Sequence, residues 1–135
     1  MSAQVEEMLY GTLHADATLG TLAPGGVWRN IAPPNTTGTI VVFSQVSSSD
    51  AYALAHRAYS NAVYQVKAIT PGESAVAAWD AAERVEALLT DTPLTLSTGH
   101  VLNCRRQSVI SMTETDNGEQ YQHAGGLYTI TIQES

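Results

Sequence analysis

The sequence predicts an α+β fold, an antiparallel-rich mixed sheet with two main helices packed on one face. Two segments have the apolar spacing of amphipathic helices, and four or five others are rich in β-branched and aromatic residues. Their order along the chain is helix, two or three strands, helix, two strands. At 135 residues the chain has the length of one domain, so we expect residues 1–135 to form a single domain.

The first segment predicts a helix followed by a short helical turn. Apolar residues recur at the spacing of one helix face: Val5, Met8, Leu9 and Leu13. Asp16 is a suitable N-cap for the short turn that holds Leu19 and Leu22. Pro24-Gly25-Gly26 then ends the helical region.

The next segments predict three strands and one loop. Residues 27–31 form a short strand that ends before two prolines. Residues 39–47 are apolar on both faces, which is typical of a strand that is central in a sheet or covered on its second face by another subunit. Residues 47–57 begin with a polar stretch and predict a long loop. Residues 59–69 alternate as a long strand that directs four side chains to one side: Ala62, Tyr64, Val66 and Ala68.

A capping box predicts the start of the second main helix. In Thr70-Pro71-Gly72-Glu73, the threonine is the N-cap, the proline takes the first helical position and the glutamate reaches back to the cap. This helix is expected to bury Ala75, Ala78, Trp79, Ala82, Val85 and Leu89.

The last third of the chain predicts a hairpin whose turn is Asp116-Asn117-Gly118. One arm is expected to direct Leu102, Cys104, Ile110 and Met112 to a common face. The other arm is expected to do the same with Tyr128, Ile130 and Ile132.

Composition favours a surface that binds other proteins over one that binds nucleic acid. The formal charge is −7, and no stripe of Lys or Arg is present. The single cysteine, Cys104, excludes an intramolecular disulfide and indicates a reducing compartment. We expect no secretion signal and no membrane span, because the N-terminal residues lack a basic and apolar leader and no run of about 18 apolar residues occurs.

The sequence predicts no catalytic, cofactor-binding or metal-binding residues, and so no enzyme. The four histidines are far apart, and His100 and Cys104 would lie ~13 Å apart along one strand. Arg105 and Arg106 could activate Cys104 as a nucleophile, but strand alternation directs the thiol into the core and favours an inert cysteine. No serine-nucleophile or phosphate-binding motif is present.

Six residues are predicted to lie at an interface. Trp28, beside Arg29, is an aromatic residue with no assigned place in the core. The other five lie in or beside the predicted loop, which we expect to become ordered against a neighbouring subunit. They are Asp50, Tyr52, Leu54, Arg57 and Tyr59.

Several stretches together resemble a known family. They are the run from His14 to Leu22, Gly26-Val27-Trp28, Ala32-Pro33, the apolar run from Ile40 to Val46, Leu88-Leu89, and the closing run from His123 to Ile132. From about Val5 to Gln133 the chain resembles the tail terminator, or tail-completion, proteins of long-tailed phages and related gene-transfer particles. It departs from the family pattern at residues 47–57.

The resemblance implies a virion structural protein at the head–tail junction, assembled in the cytoplasm of the host bacterium. Six copies would form a ring on the last ring of the tail tube, stop its elongation, and offer a face to the neck proteins of the head. DNA would pass through the lumen without specific binding. The alternatives are another virion subunit, such as a tail-tube or neck-joining protein, and a small ligand-binding α+β domain.

Overall fold

The structure is a computed structural model that describes residues 2–33, 36–53, 56–91 and 93–133, without the side chains of residues 2, 51–53 and 56–58. Its elements are α1 (Ser2–His14), α2 (Ala17–Leu22), β1 (Val27–Arg29), β2 (Ile40–Ala53), β3 (His56–Pro71), α3 (Val76–Thr90), β4 (His100–Asp116) and β5 (Glu119–Gln133). This order confirms the predicted α+β fold.

The five strands form one mixed sheet with the order β1-β2-β3-β5-β4. The short β1 runs parallel to β2, and the other three pairings are antiparallel. Because β1 pairs with β2 only from Val41 to Phe43, most of β2 lies at the border of the sheet. The sheet is therefore antiparallel-rich and mixed, as predicted.

The core lies between one face of the sheet and the helices. α1 contributes Val5, Leu9 and Leu13 to a single apolar cluster, and α3 contributes residues such as Val85 and Leu89. The sheet adds alternate side chains of its central strands: Val41, Phe43, Ala62, Tyr64, Val66, Ala68, Ala124, Tyr128, Ile130 and Ile132. Both main helices thus pack on one face. In the part of the chain that the structure describes, no helix is long and apolar enough to cross a membrane.

Asp16 lies between α1 and α2 and connects this part of the chain to α3. Its Oδ2 accepts a hydrogen bond from the Leu19 backbone N–H at 2.8 Å, which confirms the predicted N-cap. Arg84 of α3 donates to both carboxylate oxygens, from Nε at 2.9 Å and from Nη2 at 2.7 Å. The hydrogen bond from Arg84 lowers the pKa of Asp16 below its ordinary value, against the opposing effect of burial. The cap is therefore also an ion pair between helices.

The predicted capping box at Thr70 is wrong. β3 continues to Pro71, which lies opposite Tyr121 of β5, and the Thr70 hydroxyl accepts a buried hydrogen bond from Thr39 at 2.9 Å. α3 begins only at Val76, whose backbone N–H donates to the Ser74 hydroxyl at 3.3 Å. Strand pairing with β5 outweighs the local capping signal, because it satisfies the backbone over the whole strand.

The predicted loop over residues 47–57 is also wrong. β2 continues to Ala53 and β3 begins at His56, the two strands are antiparallel, and residues 47–50 pair in register with residues 60–63, while residues 54 and 55 lie outside the described part of the chain. Ser60 donates a hydrogen bond to Asp50 Oδ1 at 2.6 Å across the two strands. The serines here are poor strand formers on their own, but they extend strands that the rest of the sheet already aligns.

The C-terminal hairpin is confirmed, with one correction. Asn117 and Gly118 have φ values of 57° and 82°, as expected for the two-residue turn between Asp116 and Glu119. Bulges between Val101 and Asn103 and between Arg106 and Ser108 interrupt the alternation of β4. As a result Leu102 is 54% exposed, whereas Cys104 packs against the core. After the second bulge, Ile110 and Met112 pair with Gly125 and His123, so they lie on the opposite face of the sheet from Cys104. A β-bulge shifts the register by one residue and so reverses which side chains face the core.

Candidate interaction surfaces

The sheet has a second face that no described helix covers, here called the bare face. It is formed by the side chains that alternate with the core residues: Ile40, Val42, Val63, Ile69, Ile110 and Leu127. Most of them are half-buried, because neighbouring strands shield each other's side chains. Polar residues such as Gln65, Lys67 and Thr129 lie among them. This mixture is typical of an antiparallel sheet that one layer of helices covers on one side.

The bare face ends in an open cleft of about 660 Å³. Residues 30–33 and 36–38 form one wall, and the end of the β4–β5 hairpin forms the other. Three carboxylate residues and one lysine line it: Glu114, Asp116, Glu119 and Lys67. Next to it, Glu114 Oε1 lies 2.8 Å from Nε2 of the buried His123. The cleft is therefore acidic, and its carboxylates come mainly from the hairpin turn.

Trp28 lies on β1, opposite Val42, and therefore on the bare-face side. Its indole Nε1 donates to the Gly25 carbonyl at 2.8 Å, so the polar group of the ring is used within the chain. The ring is half-buried. Its partner Val42 lies eight residues before Asp50 on β2. At ~3.3 Å per residue, Trp28 is therefore roughly 26 Å from the level of Asp50. The structure does not bring Trp28 together with the other predicted interface residues.

The remaining predicted interface residues belong to the β2–β3 hairpin. Asp50 is exposed and accepts the bond from Ser60, and Tyr59 is 40% exposed. Tyr52 and Arg57 are register partners, but their side chains are outside the described part. Leu54 lies outside the described residues. β5 pairs with β3 only from Ser60 onward, so among the described residues the part of the hairpin before Ser60 pairs with no third strand. The interface role of these residues stays a prediction.

The two borders of the sheet form a further surface, which the sequence interpretation missed. At one border, β2 has no neighbouring strand beyond Phe43 among the described residues. At the other border, β4 pairs with β5 over its full length and with no other strand in the described part of the chain. Both borders expose apolar side chains: Val46 is 56% and Val109 is 55% exposed. The sequence signal is a β-rich run without lysine or proline in each strand.

Cys104 has the properties of a structural residue. It is half-buried on β4 and packs against the core. Burial raises the pKa of its thiol to about 12. A thiol with this pKa is almost entirely protonated at neutral pH, so it is a poor nucleophile. Among the described residues, no group of three or more His, Cys, Asp or Glu side chains is arranged to hold a metal ion.

Comparison with known proteins identifies a family and solved structures with a similar fold. The protein-family model described as tail completion protein gp17 matches residues 7–129. A chain in the structure of the virion of a native gene transfer agent particle is 19% identical, covers 98% of this chain and 96% of its own length, and has a TM-score of 0.82. A second solved structure is 15% identical over 99% of this chain and 93% of its own, with a TM-score of 0.57. No curated protein sequence matches.

Proposed function

The chain belongs to the tail completion protein gp17 family, a family of virion structural proteins, and we propose that it forms a ring of six copies that caps the tail tube. The ring stops elongation of the tube and provides the face to which the head or neck binds. The observation that carries the proposal is the family match over residues 7–129. The similarity of fold to a chain of a gene transfer agent virion agrees with it.

The shape of the sheet supports a ring. A ring of identical subunits needs two different complementary surfaces on each copy, placed so that successive copies are related by a rotation. β2 and β4 lie at opposite borders of one sheet, and each leaves backbone groups without a strand partner among the described residues. The helices cover one face only and leave both borders accessible.

The charge of the chain supports a passage for DNA. Six copies at −7 each carry a formal charge of −42. A lumen with negative potential repels the phosphate backbone, and DNA can slide through it without being held. We therefore propose that DNA passes the ring without specific binding, and that the ring works at the head–tail junction of a particle assembled in the host cytoplasm. Its partners there are the tail tube protein and the neck proteins.

A second proposal is a different structural position, as a tail-tube or neck-joining subunit. It would share the family, the fold and the open borders of the sheet. The two proposals differ in what loss of the gene does to tail length. A capping ring limits elongation, whereas a tube subunit is required for any tail to form.

Deletion of the gene tests the function directly. We expect infected or induced cells to accumulate DNA-filled heads apart from tails, with some tails longer than normal, in electron micrographs. Normal joined tails would eliminate the terminator function, and a complete lack of tails would favour a tube subunit.

A point substitution tests the contribution of the β2–β3 hairpin. Tyr52→Ala should fold normally and fail to restore capping to the deletion strain, since tyrosine is favoured where subunits meet. Tyr10→Ala is the matched control, because Tyr10 is an exposed tyrosine on α1, away from this hairpin. If Tyr52→Ala restores normal joined tails as well as Tyr10→Ala does, this hairpin does not carry the capping contact.

A further inference from the structure

We propose that the contact between neighbouring copies is a strand pairing, in which the open edge of β2 in one copy binds antiparallel to the open edge of β4 in the next. This inference rests on the proposed ring and specifies its interface. The two edges are residues 44–49 of β2 and residues 108–113 of β4.

The β2 edge is open because β1 is short. Val41 donates its backbone N–H to the Gly26 carbonyl at 2.9 Å, and the Phe43 carbonyl accepts from Asn30 N–H at 2.9 Å. Thus Val41 and Phe43 direct their backbone groups away from β3, and by alternation so does Gln45. β1 ends before Gln45, and among the described residues no backbone bond from β1 or its following segment reaches it.

The edge of β4 that faces away from β5 has no strand partner among the described residues, and the pairing of β4 with β5 is regular there. The turn at Asn117-Gly118 makes Asp116 and Glu119 a hydrogen-bonded pair, and the register then continues without interruption back to Ser108. Every second residue bonds to β5, so the residues between them direct N–H and C=O outward. Within residues 108–113 these outward residues are Val109, Ser111 and Thr113.

Both edges lack the residue types that normally prevent strand pairing. Natural edge strands are protected by lysine, proline, inward-facing charges or a covering segment. Residues 108–113 read Ser-Val-Ile-Ser-Met-Thr, residues 44–49 read Ser-Gln-Val-Ser-Ser-Ser, and neither segment contains a charge. Neither segment contains lysine or proline. The β4 bulge, between Arg106 and Ser108, lies before the β4 edge, whereas the β2 bulge, between Gln45 and Ser47, lies within the β2 edge and directly follows the outward amide of Gln45.

Strand direction identifies a second copy as the partner. β2 and β5 run in one direction, and β3 and β4 run in the other. In a head-to-tail ring every copy keeps the same orientation relative to the axis. β4 of one copy then meets β2 of the next in antiparallel orientation, the more stable arrangement per residue. The two edges differ, so pairing each with the other joins copies into a chain that a rotation can close.

Proline substitutions test the pairing, because proline removes a backbone N–H and is tolerated at an edge where that N–H faces outward. The variants are Gln45→Pro and Ser111→Pro, and the matched controls Gln45→Ala and Ser111→Ala keep the N–H. Rings of the full chain are quantified by native mass spectrometry, for free protein and for tails from the deletion strain complemented with each variant. We expect each proline variant to reduce the ring population by at least about tenfold, since the blocked edge recurs at every contact, while the alanine controls assemble.

Mixing the two proline variants tests the head-to-tail geometry. Each retains one open edge of opposite type, so an equimolar mixture should form a mixed dimer and nothing larger. Neither variant alone should dimerise. A homodimer of either variant alone, or rings of wild-type abundance in a folded proline variant, would overturn the pairing.

Hydrogen exchange gives a reading that does not depend on proline variants folding. In wild-type rings, the amides of Gln45 and Ser111 should exchange at least about tenfold more slowly than in the monomer. Rings whose Gln45 and Ser111 amides stay unprotected would overturn the pairing and leave the proposed function standing. A wild-type chain that forms no ring, either free or in tails, would overturn both.

Discussion

The two faces of β5 differ in how completely this chain covers them. On the helix side, Tyr128 and Ile130 are fully buried, and burial raises the pKa of the Tyr128 phenol. On the bare side, Leu127 and Thr129 are only half-buried. One layer of helices is enough to make a core, so the other face is left with a mixed, half-shielded surface. The fold is thus stabilised on one face, while the described residues leave the bare face and the two borders of the sheet largely uncovered.

Truncation of one apolar residue on each face of β5 tests this comparison most strongly. Ile130→Ala on the helix side should lower the free energy of unfolding by about 2–5 kcal/mol, because it leaves a cavity in the core. Leu127→Ala on the bare side should cost about 1 kcal/mol, because less apolar area returns to water. Urea unfolding of both variants measures the difference. Equal losses would mean that the bare face is as important for stability as the core.

A glycine on the bare side tests how closely the strands approach there. A Cβ at Gly125 would lie 2.3 Å from the Val66 carbonyl oxygen and 2.5 Å from Lys67 Cα. Gly125→Ala should therefore cost about 1–3 kcal/mol of stability through overpacking. Gly11→Ala in α1 is the control, since nothing lies within 4 Å of its added Cβ, and it should stabilise by about 0.5–1 kcal/mol. Thermal unfolding that ranks Gly125→Ala at or above wild type would contradict this packing.

Replacement of Cys104 tests the edge of the core, where β4 is only partly buried. Cys104→Ala should cost about 1–2 kcal/mol and leave assembly intact, because the side chain only fills space. The raised thiol pKa, about 12, also predicts slow alkylation of the folded wild-type protein at pH 8, and fast alkylation in urea. A folded Cys104→Ala variant that no longer assembles would indicate a chemical role for the thiol.

The smallest expected effect concerns the ion pair within the helix layer. Asp16→Asn keeps an N-cap acceptor and removes the charge that pairs with Arg84. We expect a loss of about 0.2–1 kcal/mol at neutral pH, because Arg84 is partly exposed and solvent screens the pair.

The pH dependence of this effect has a definite sign. The pKa of Asp16 is lower in the folded state than in the unfolded state, so its stabilisation is complete above the unfolded value of about 3.9 and is lost as pH falls below it. Urea unfolding at pH 6 and pH 3 should therefore show that wild type loses more stability than Asp16→Asn. A constant difference between the two proteins at both pH values would exclude this linkage.

Local signals predicted the parts of the fold that are determined locally. The apolar spacing of α1, the cap at Asp16 and the turn at Asn117-Gly118 all depend on residues close in sequence, and the structure confirms each. The alternation of β3, with Tyr64 and Val66 toward the core, is confirmed for the same reason.

Three features needed the tertiary structure, because distant residues decide them. Thr70 is a strand residue because β5 and Thr39 supply its partners from other parts of the chain. Residues 47–50 are strand because β3 lies in register beside them. Leu102 faces solvent because of a bulge against β5, which no local pattern in β4 indicates.

The sequence by itself determined the fold class, the charge, the absence of a recognisable catalytic motif and the resemblance to a tail protein, because composition and short-range periodicity carry that information. Only the tertiary structure decided which strands lie at the borders of the sheet. Strand order depends on pairings between segments far apart in the chain, such as β3 with β5, and these are set by the packing of the whole sheet on its helices. The open edges of β2 and β4, on which the proposed assembly depends, follow from that order.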